Sequence, residues 1–312
     1  MKLIYIFLRT NKLAQFLSAA IILLSLAPAV SAACACGCNV FSAGSMWMMP
    51  SSPGLRMALT YNYMDQHTDW SGWNSAAADL NSDKEIRTNF YTLGFQYMEN
   101  RDWGMMIEIP VWDRYFTTID DMGSIASIEH ASPADIRIMG IYTGLSEDMS
   151  TGILLGLKLP TGPFNLSLLD RDTQIGTGTT DLLVGGFRMG QEAGWGWYVH
   201  AQFQIPLAAR DGYLPGDNFD FSIGMHYDDL ADDYKIVPSL QITTSLRSID
   251  SGANSDPDNT GYERLYISPG AEIIINSHLN IFGNVKAPLI THTRGYQLVA
   301  PLLSTVTLSY RF

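Results

Sequence analysis

Thr305-Val306-Thr307-Leu308-Ser309-Tyr310-Arg311-Phe312 sets apolar side chains at every second position and polar ones between them. Val306, Leu308, Tyr310 and Phe312 share one face of a strand, and Thr305, Thr307, Ser309 and Arg311 share the other. A period of two predicts a β-strand with one dry face and one wet face. A final aromatic with no polar tail behind it fits a strand that closes a barrel in lipid, with the ring at the membrane interface.

The same alternation recurs upstream. Leu55, Met57, Leu59, Tyr61 and Tyr63 alternate with Arg56, Ala58, Thr60 and Asn62. Trp197, Val199, Ala201, Phe203 and Ile205 alternate with Tyr198, His200, Gln202 and Gln204. Phe219, Phe221, Ile223 and Met225 alternate with Asp220, Ser222, Gly224 and His226. Repeated along the chain, the pattern predicts about twelve strands. Short connections (99–102, 146–150, 190–194, 228–233, 276–278) alternate with longer ones (65–85, 117–133, 161–175, 208–218, 249–260, 289–300). An even strand number with this rhythm predicts an all-β fold: a transmembrane antiparallel up-and-down β-barrel with short periplasmic turns, long extracellular loops and both termini periplasmic. Aromatics such as Tyr97, Trp103, Trp195 and Tyr310 near the short turns, and Tyr61, Tyr63, Trp112 and Tyr262 near the long loops, suit interfacial girdles. A secreted β-sandwich also alternates, but its strands are shorter and its loops less regular.

Residues 1–32 read as a secretory signal. Lys2, Arg9 and Lys12 precede an apolar stretch and the small-residue site Val30-Ser31-Ala32. The barrel would then occupy 54–312, with 33–53 as an N-terminal segment. Removing the signal takes the formal net charge from −12 to −15, because it carries three cations and no acid. Such acidity argues against a nucleic-acid partner. The expected partners are outer-membrane lipid and a small-molecule solute.

The polar faces predict a lumen lined by Arg56, Glu108, Arg137, Lys158, Arg188, His200, Gln202, Gln204, His226, Gln241, Arg247, Glu272, Lys286 and Arg311. Charges in a low-dielectric wall must pair or face water, so these groups either brace the interior or line a polar, weakly anion-favouring pore. Twelve strands lie between small filled barrels and wide porins, which predicts a narrow or plugged channel.

Leu155-Gly156-Leu157-Lys158-Leu159-Pro160-Thr161-Gly162 is followed by Ile175-Gly176-Thr177-Gly178-Thr179-Thr180-Asp181, then Tyr266-Ile267-Ser268-Pro269-Gly270 and Arg294-Gly295-Tyr296-Gln297-Leu298. Their order, over residues 55–312, resembles the outer-membrane transporters named for the meta-pathway of phenol degradation. The resemblance implies passive passage of small organic molecules, hydrophobic ones among them, and no single substrate.

Cys34, Cys36 and Cys38 are the chain's three cysteines, and Met46, Met48 and Met49 follow them. Thiolates and thioethers are soft ligands, so Cu(I) or Zn is the metal this cluster would take; no resident cofactor is otherwise expected. A local disulfide, an intermolecular one, lipidation and a periplasmic redox partner are the competing readings. The segment either hangs free or plugs the lumen, and Val40, Phe41 and Trp47 favour burial. The function expected is a channel or transporter, not an enzyme. The alternatives are a docking barrel acting through its N-terminal segment and a lipid hydrolase with a Ser–His pair on its lipid face.

Overall fold

The computed structural model describes residues 49–77, 81–119, 122–167, 169–231 and 235–312. The signal-peptide reading, Cys34, Cys36, Cys38, Met46 and Met48 lie outside these residues. Twelve strands form a closed antiparallel barrel: β1 (Gly54–Gln66), β4 (Asp83–Met98), β5 (Trp103–Ile119), β7 (Ile136–Tyr142), β8 (Thr151–Leu159), β9 (Asp181–Glu192), β10 (Trp195–Pro206), β11 (Asn218–Tyr227), β12 (Ile236–Arg247), β13 (Tyr262–Ile274), β14 (Leu279–Val299) and β15 (Leu303–Arg311). Three accessory strands, β2 (Thr68–Gly72), β3 (Asn74–Ser75) and β6 (Ile125–Pro133), extend the wall beyond the long-loop end.

Closure runs through the stretch with which the sequence is most explicit. β15 pairs with β1 from Arg56↔Arg311 to Met64↔Leu303, and the Phe312 amide donates to the Leu55 carbonyl at 3.0 Å. Inside this seam Thr60 Oγ1 and Thr307 Oγ1 lie 3.0 Å apart, and Thr305 Oγ1 donates to Asn62 Oδ1 at 2.8 Å. The outward face alternates with this polar one: Leu59 meets Leu308 on one side and Leu93 on the other, all three exposed. Exposed apolar rows of this kind belong in lipid, and the ladder leaves no free edge there. At the turn end Trp103 packs on Tyr142, Trp195 on Tyr227, and Tyr310 on Phe312, with ring centroids 4.6, 4.8 and 4.8 Å apart.

The turns obey local backbone rules. Ala193 and Gly194 connect β9 to β10 with φ of 53° and 77°. Two consecutive left-handed residues match the right-handed twist of the flanking strands, at a cost to Ala193 that glycine would not carry.

Three predicted loops contain strand. The 117–133 connection is a hairpin arm in which β6 pairs with residues 111–119 of β5. The 65–85 connection holds β2 and β3. The 289–300 connection is the outer part of the 21-residue β14, which pairs with β2 after a register shift. Past the lipid band neither face must be apolar, so the period-two signal fades although the backbone ladder continues. β5 also divides its partners: residues 103–108 pair with β7 and residues 111–119 with β6, so β8, which lies between β7 and β9, does not meet β6. Where β6 parts from β8, the loop after Leu159 fills the wedge: Thr161 Oγ1 donates to the Ala134 carbonyl at 2.8 Å and accepts from the Ile136 amide at 3.0 Å.

Leu59→Arg, at mid-height on the outward face, is expected to lower folding stability in lipid vesicles by about 2–4 kcal/mol. Arg188→Leu, near the turn-end rim, should change it by about 1 kcal/mol or less. Urea titration monitored by tryptophan fluorescence measures both.

Candidate functional site: a lumen closed at both ends

The loop of residues 160–180 folds over the long-loop end of the lumen. Leu166 and Leu169 pack on Ile86, Phe116, Ile128 and Leu298. Arg114, almost wholly buried, donates to Thr88 Oγ1 at 3.0 Å and to the carbonyls of Thr173 and Gln174. Gln174 Nε2 ties the loop to itself through the carbonyls of Leu166 and Leu169 at 2.9 and 2.6 Å. A guanidinium that donates to backbone carbonyls fixes a loop more firmly than apolar contact alone, because removing it strands buried acceptors.

Below the cap, Lys158 Nζ sits 2.8 Å from Asp135 Oδ2 and 3.0 Å from Asp181 Oδ2, with all three side chains nearly inaccessible. Asp135 also accepts from the amides of Gly162 and Thr177, each at 3.0 Å. The two glycine-rich motifs thus meet at one carboxylate. Gly162 and Gly176 face each other so closely that a Cβ on Gly176 would lie 2.4 Å from the Gly162 carbonyl oxygen, which leaves no room for a side chain. Asp181 further accepts from Thr179 Oγ1 at 2.6 Å and Gln204 Nε2 at 2.5 Å. Arg247 pairs with the buried Asp250 at 3.1 Å, and Tyr213 donates to the same carboxylate at 2.7 Å.

The turn end has a different chemistry. Met49, Met98, Met106, Met139 and Met149 are buried together with Ala58, Ile141, Leu154, Leu183, Phe187 and Tyr198, and Met189 packs against them. Met149 reaches this cluster from a turn held at φ 61°. Met49 brings in the N-terminal segment, and Ser51 Oγ accepts from Arg56 Nη2 at 3.3 Å and Arg311 Nη2 at 3.1 Å. Unbranched thioether side chains fill an irregular space between segments that do not share a ladder.

Of the predicted lumen residues, Arg56, Glu108, Arg137, Lys158, His200, Gln202, Gln204, His226, Gln241, Arg247, Glu272, Lys286 and Arg311 occupy inward positions of their strands. Glu108 and Arg137 lie 3.8 Å apart, and His226 lies 3.4 Å from Asp228. Arg188 is a correction. It is exposed on the outward face, opposite Val199, while Leu183 and Phe187 of the same strand turn inward. The apolar floor takes the hydrophobic face of β9, and the arginine can snorkel to the nearby rim. Asp135, Asp181, Asp220, Arg114 and Arg264 were missed. Asp220 and Arg264 stand at inward positions of alternating strands, so the periodicity contained them. Asp135 stands between strands and Asp181 at the first residue of one, where alternation carries no sign of facing. Met49 lies in an apolar cluster, and among the described residues no group of three His, Cys, Asp or Glu side chains is arranged to hold a metal. His200 and His226 face inward, away from the lipid side where a lipid hydrolase would need its base.

At the long-loop end Asp83, Asp170, Asp172 and Asp256 line a cavity of about 540 Å³ with Asn81, Asn254 and Gln297. Burial, then the charges of Asp250, Asp170 and Asp83, push the Asp172 carboxyl up to about 8, with Arg247 opposing. Burial and Asp170 push Asp83 up to about 6.

No family model and no curated protein matches the chain. Solved structures do. A COG4313 outer membrane channel from Pseudomonas putida F1 superposes with a TM-score of 0.65 at 10% identity, covering 83% of this chain and 96% of that one. The β domain of the Bordetella autotransporter BrkA superposes with a TM-score of 0.50 at 10% identity, covering 83% and 100%.

Two outcomes follow from the cap. Lys158→Met strands two buried carboxylates and should cost about 3–5 kcal/mol in urea unfolding. Both raised carboxyls bind their protons more tightly in the folded cap than at the ordinary carboxylate value of about 3.9. Their stabilisation is therefore full below that value and lost as pH rises through about 6 for Asp83 and about 8 for Asp172. Hydrogen exchange of the amides of residues 169–176, corrected for intrinsic rate, should show less protection at pH 8 than at pH 5, and Asp172→Asn should flatten that difference. The chain thus has the fold of an outer-membrane β-barrel, with residues 160–180 folded against its long-loop end and Met49–Ser51 packed at its turn end.

Proposed function

We propose that this protein is an outer-membrane channel through which small organic solutes, hydrophobic ones among them, diffuse passively past a removable stopper. The observation that carries the reading is the contrast between the two closures. The barrel wall is held by continuous ladders, whereas two segments that belong to no ladder pack at its two ends, residues 160–180 at the long-loop end and Met49–Ser51 at the turn end; in this reading they shut the lumen. A barrel that served only as an anchor would need neither. The likeness to a COG4313 outer membrane channel supports this reading, as does the resemblance of the Gly-rich motifs to the phenol meta-pathway transporters. In this reading the short turns face the periplasm, so the stopper at Met49 is released from that side.

Planar-bilayer recording tests it. The full mature chain should give small conductance steps. A variant lacking residues 33–51 behind an intact signal should give steps several-fold larger, because the floor loses the segment that Met98, Met106 and Met149 hold. If the truncated barrel inserts but conducts no more than bare lipid, the channel reading fails.

A further inference from the structure

Midway along the lumen, one wall carries buried polar atoms that the fold leaves unsatisfied. Gln202, Asp220, Ser245 and Arg264 stand directly opposite one another across β10, β11, β12 and β13, forming one inward row. Gln202, Asp220 and Arg264 are each at least nine-tenths buried. Among the described residues, Gln202 Oε1, Asp220 Oδ1, and Arg264 Nε and Nη2 have no hydrogen-bond partner, and neither does either ring nitrogen of His200, one inward position from Gln202. The next inward row toward the long loops continues the pattern, with Gln204 Oε1 and Asn218 Oδ1 also unpartnered, whereas toward the turns Tyr198, Gln241, Ser222 and Thr243 are closely paired. Leaving one such atom unpaired costs roughly 1–3 kcal/mol. Several on a single row mark a place built for something that pairs with them.

The chemistry of the row selects the class. Acceptors lie at Gln202 and Asp220 and donors at Arg264, two strand spacings, or roughly 10 Å, from Asp220 along the row. Within the row the carboxylate and the guanidinium offset each other, so the row itself selects neither an anion nor a cation, while Lys286 stands over the neighbouring Tyr266 ring at 5.8 Å. Hydroxyl groups gain, because each can donate to the acceptors or accept from the donors. The rings of Tyr262 and Tyr266 flank Arg264 on the inward face, with the guanidinium 4.1 Å from the Tyr262 ring centroid. Both rings are fully buried and bound the row with aromatic surface. We infer that this wall is a binding subsite for small neutral hydroxylated organic solutes, whose hydroxyl groups donate to Asp220 or Gln202 and accept from Arg264. The inference deepens the channel reading, on which its role in passage rests, by naming what the lumen prefers.

The test uses the full mature chain in lipid nanodiscs, with 2-phenylethanol and its methyl ether as probes. The ether keeps the body and loses the donor. Saturation-transfer NMR should show saturable binding of the alcohol, roughly ten-fold or more tighter than the ether, as expected where a buried acceptor loses its donor. Asp220→Asn should abolish that preference, and Arg264→Gln should weaken both probes alike, while the lipid-partition background stays unchanged. Heat-modifiable gel migration reports that each variant is folded, and Gln202→Leu replaces Asp220→Asn if that one is not. Equal binding of alcohol and ether to the wild type, or a preference that survives in the folded acceptor variant, overturns the inference and leaves a wall that holds only water. Saturable alcohol binding in a barrel that never conducts keeps the subsite and removes the channel. Conductance without alcohol preference does the reverse.

Discussion

Everything in this structure depends on the pairing of β15 with β1. A strand in lipid cannot leave its amides and carbonyls unpaired, since no water is present to receive them. The barrel therefore has to close, and it closes where the last residues of the chain meet Leu55 to Met64. Once closed, the wall divides space into lipid outside and lumen inside. That division imposes the alternation on every strand, Leu59 outward and Thr60 inward being one instance.

Closure also creates the problem that the interior solves. A twelve-stranded wall encloses more width than facing side chains fill by themselves, and its inner surface is polar. At the loop end the space is occupied by residues 160–180, held through Asp135, Lys158 and Arg114. At the turn end it is occupied by methionines from the strands, a turn and the N-terminal segment. The two closures differ in kind. The upper one is ionic and directional, with Lys158 and two carboxylates fixing the loop. The lower one is apolar, built largely of unbranched thioether side chains that adapt to an irregular space.

The fold was legible in the sequence to an unusual degree, for a physical reason. Lipid accepts only apolar side chains, so each spanning strand carries the sign of its facing in its own pattern, as Phe219-Asp220-Phe221-Ser222 does. Legibility ended where that pressure ended. β6 and the outer half of β14 read as loops because water bathes both faces. Arg188 read as inward because the apolar floor reversed the usual polarity of β9 near its end. Asp135 was invisible because it stands between strands, yet it is the carboxylate on which two motifs converge.

The sequence by itself determined the class of fold, the strand number, the alternation of short and long connections and the facing of most spanning residues, since these follow from local periodicity against lipid. Only the tertiary structure decided which inward groups meet. The pairing of Lys158 with Asp135 and Asp181, the descent of residues 160–180 into the lumen, and the row from Gln202 to Arg264 all join residues brought together by the closure and register of the barrel. Register is a property of neighbouring strands taken together, and no single strand records it.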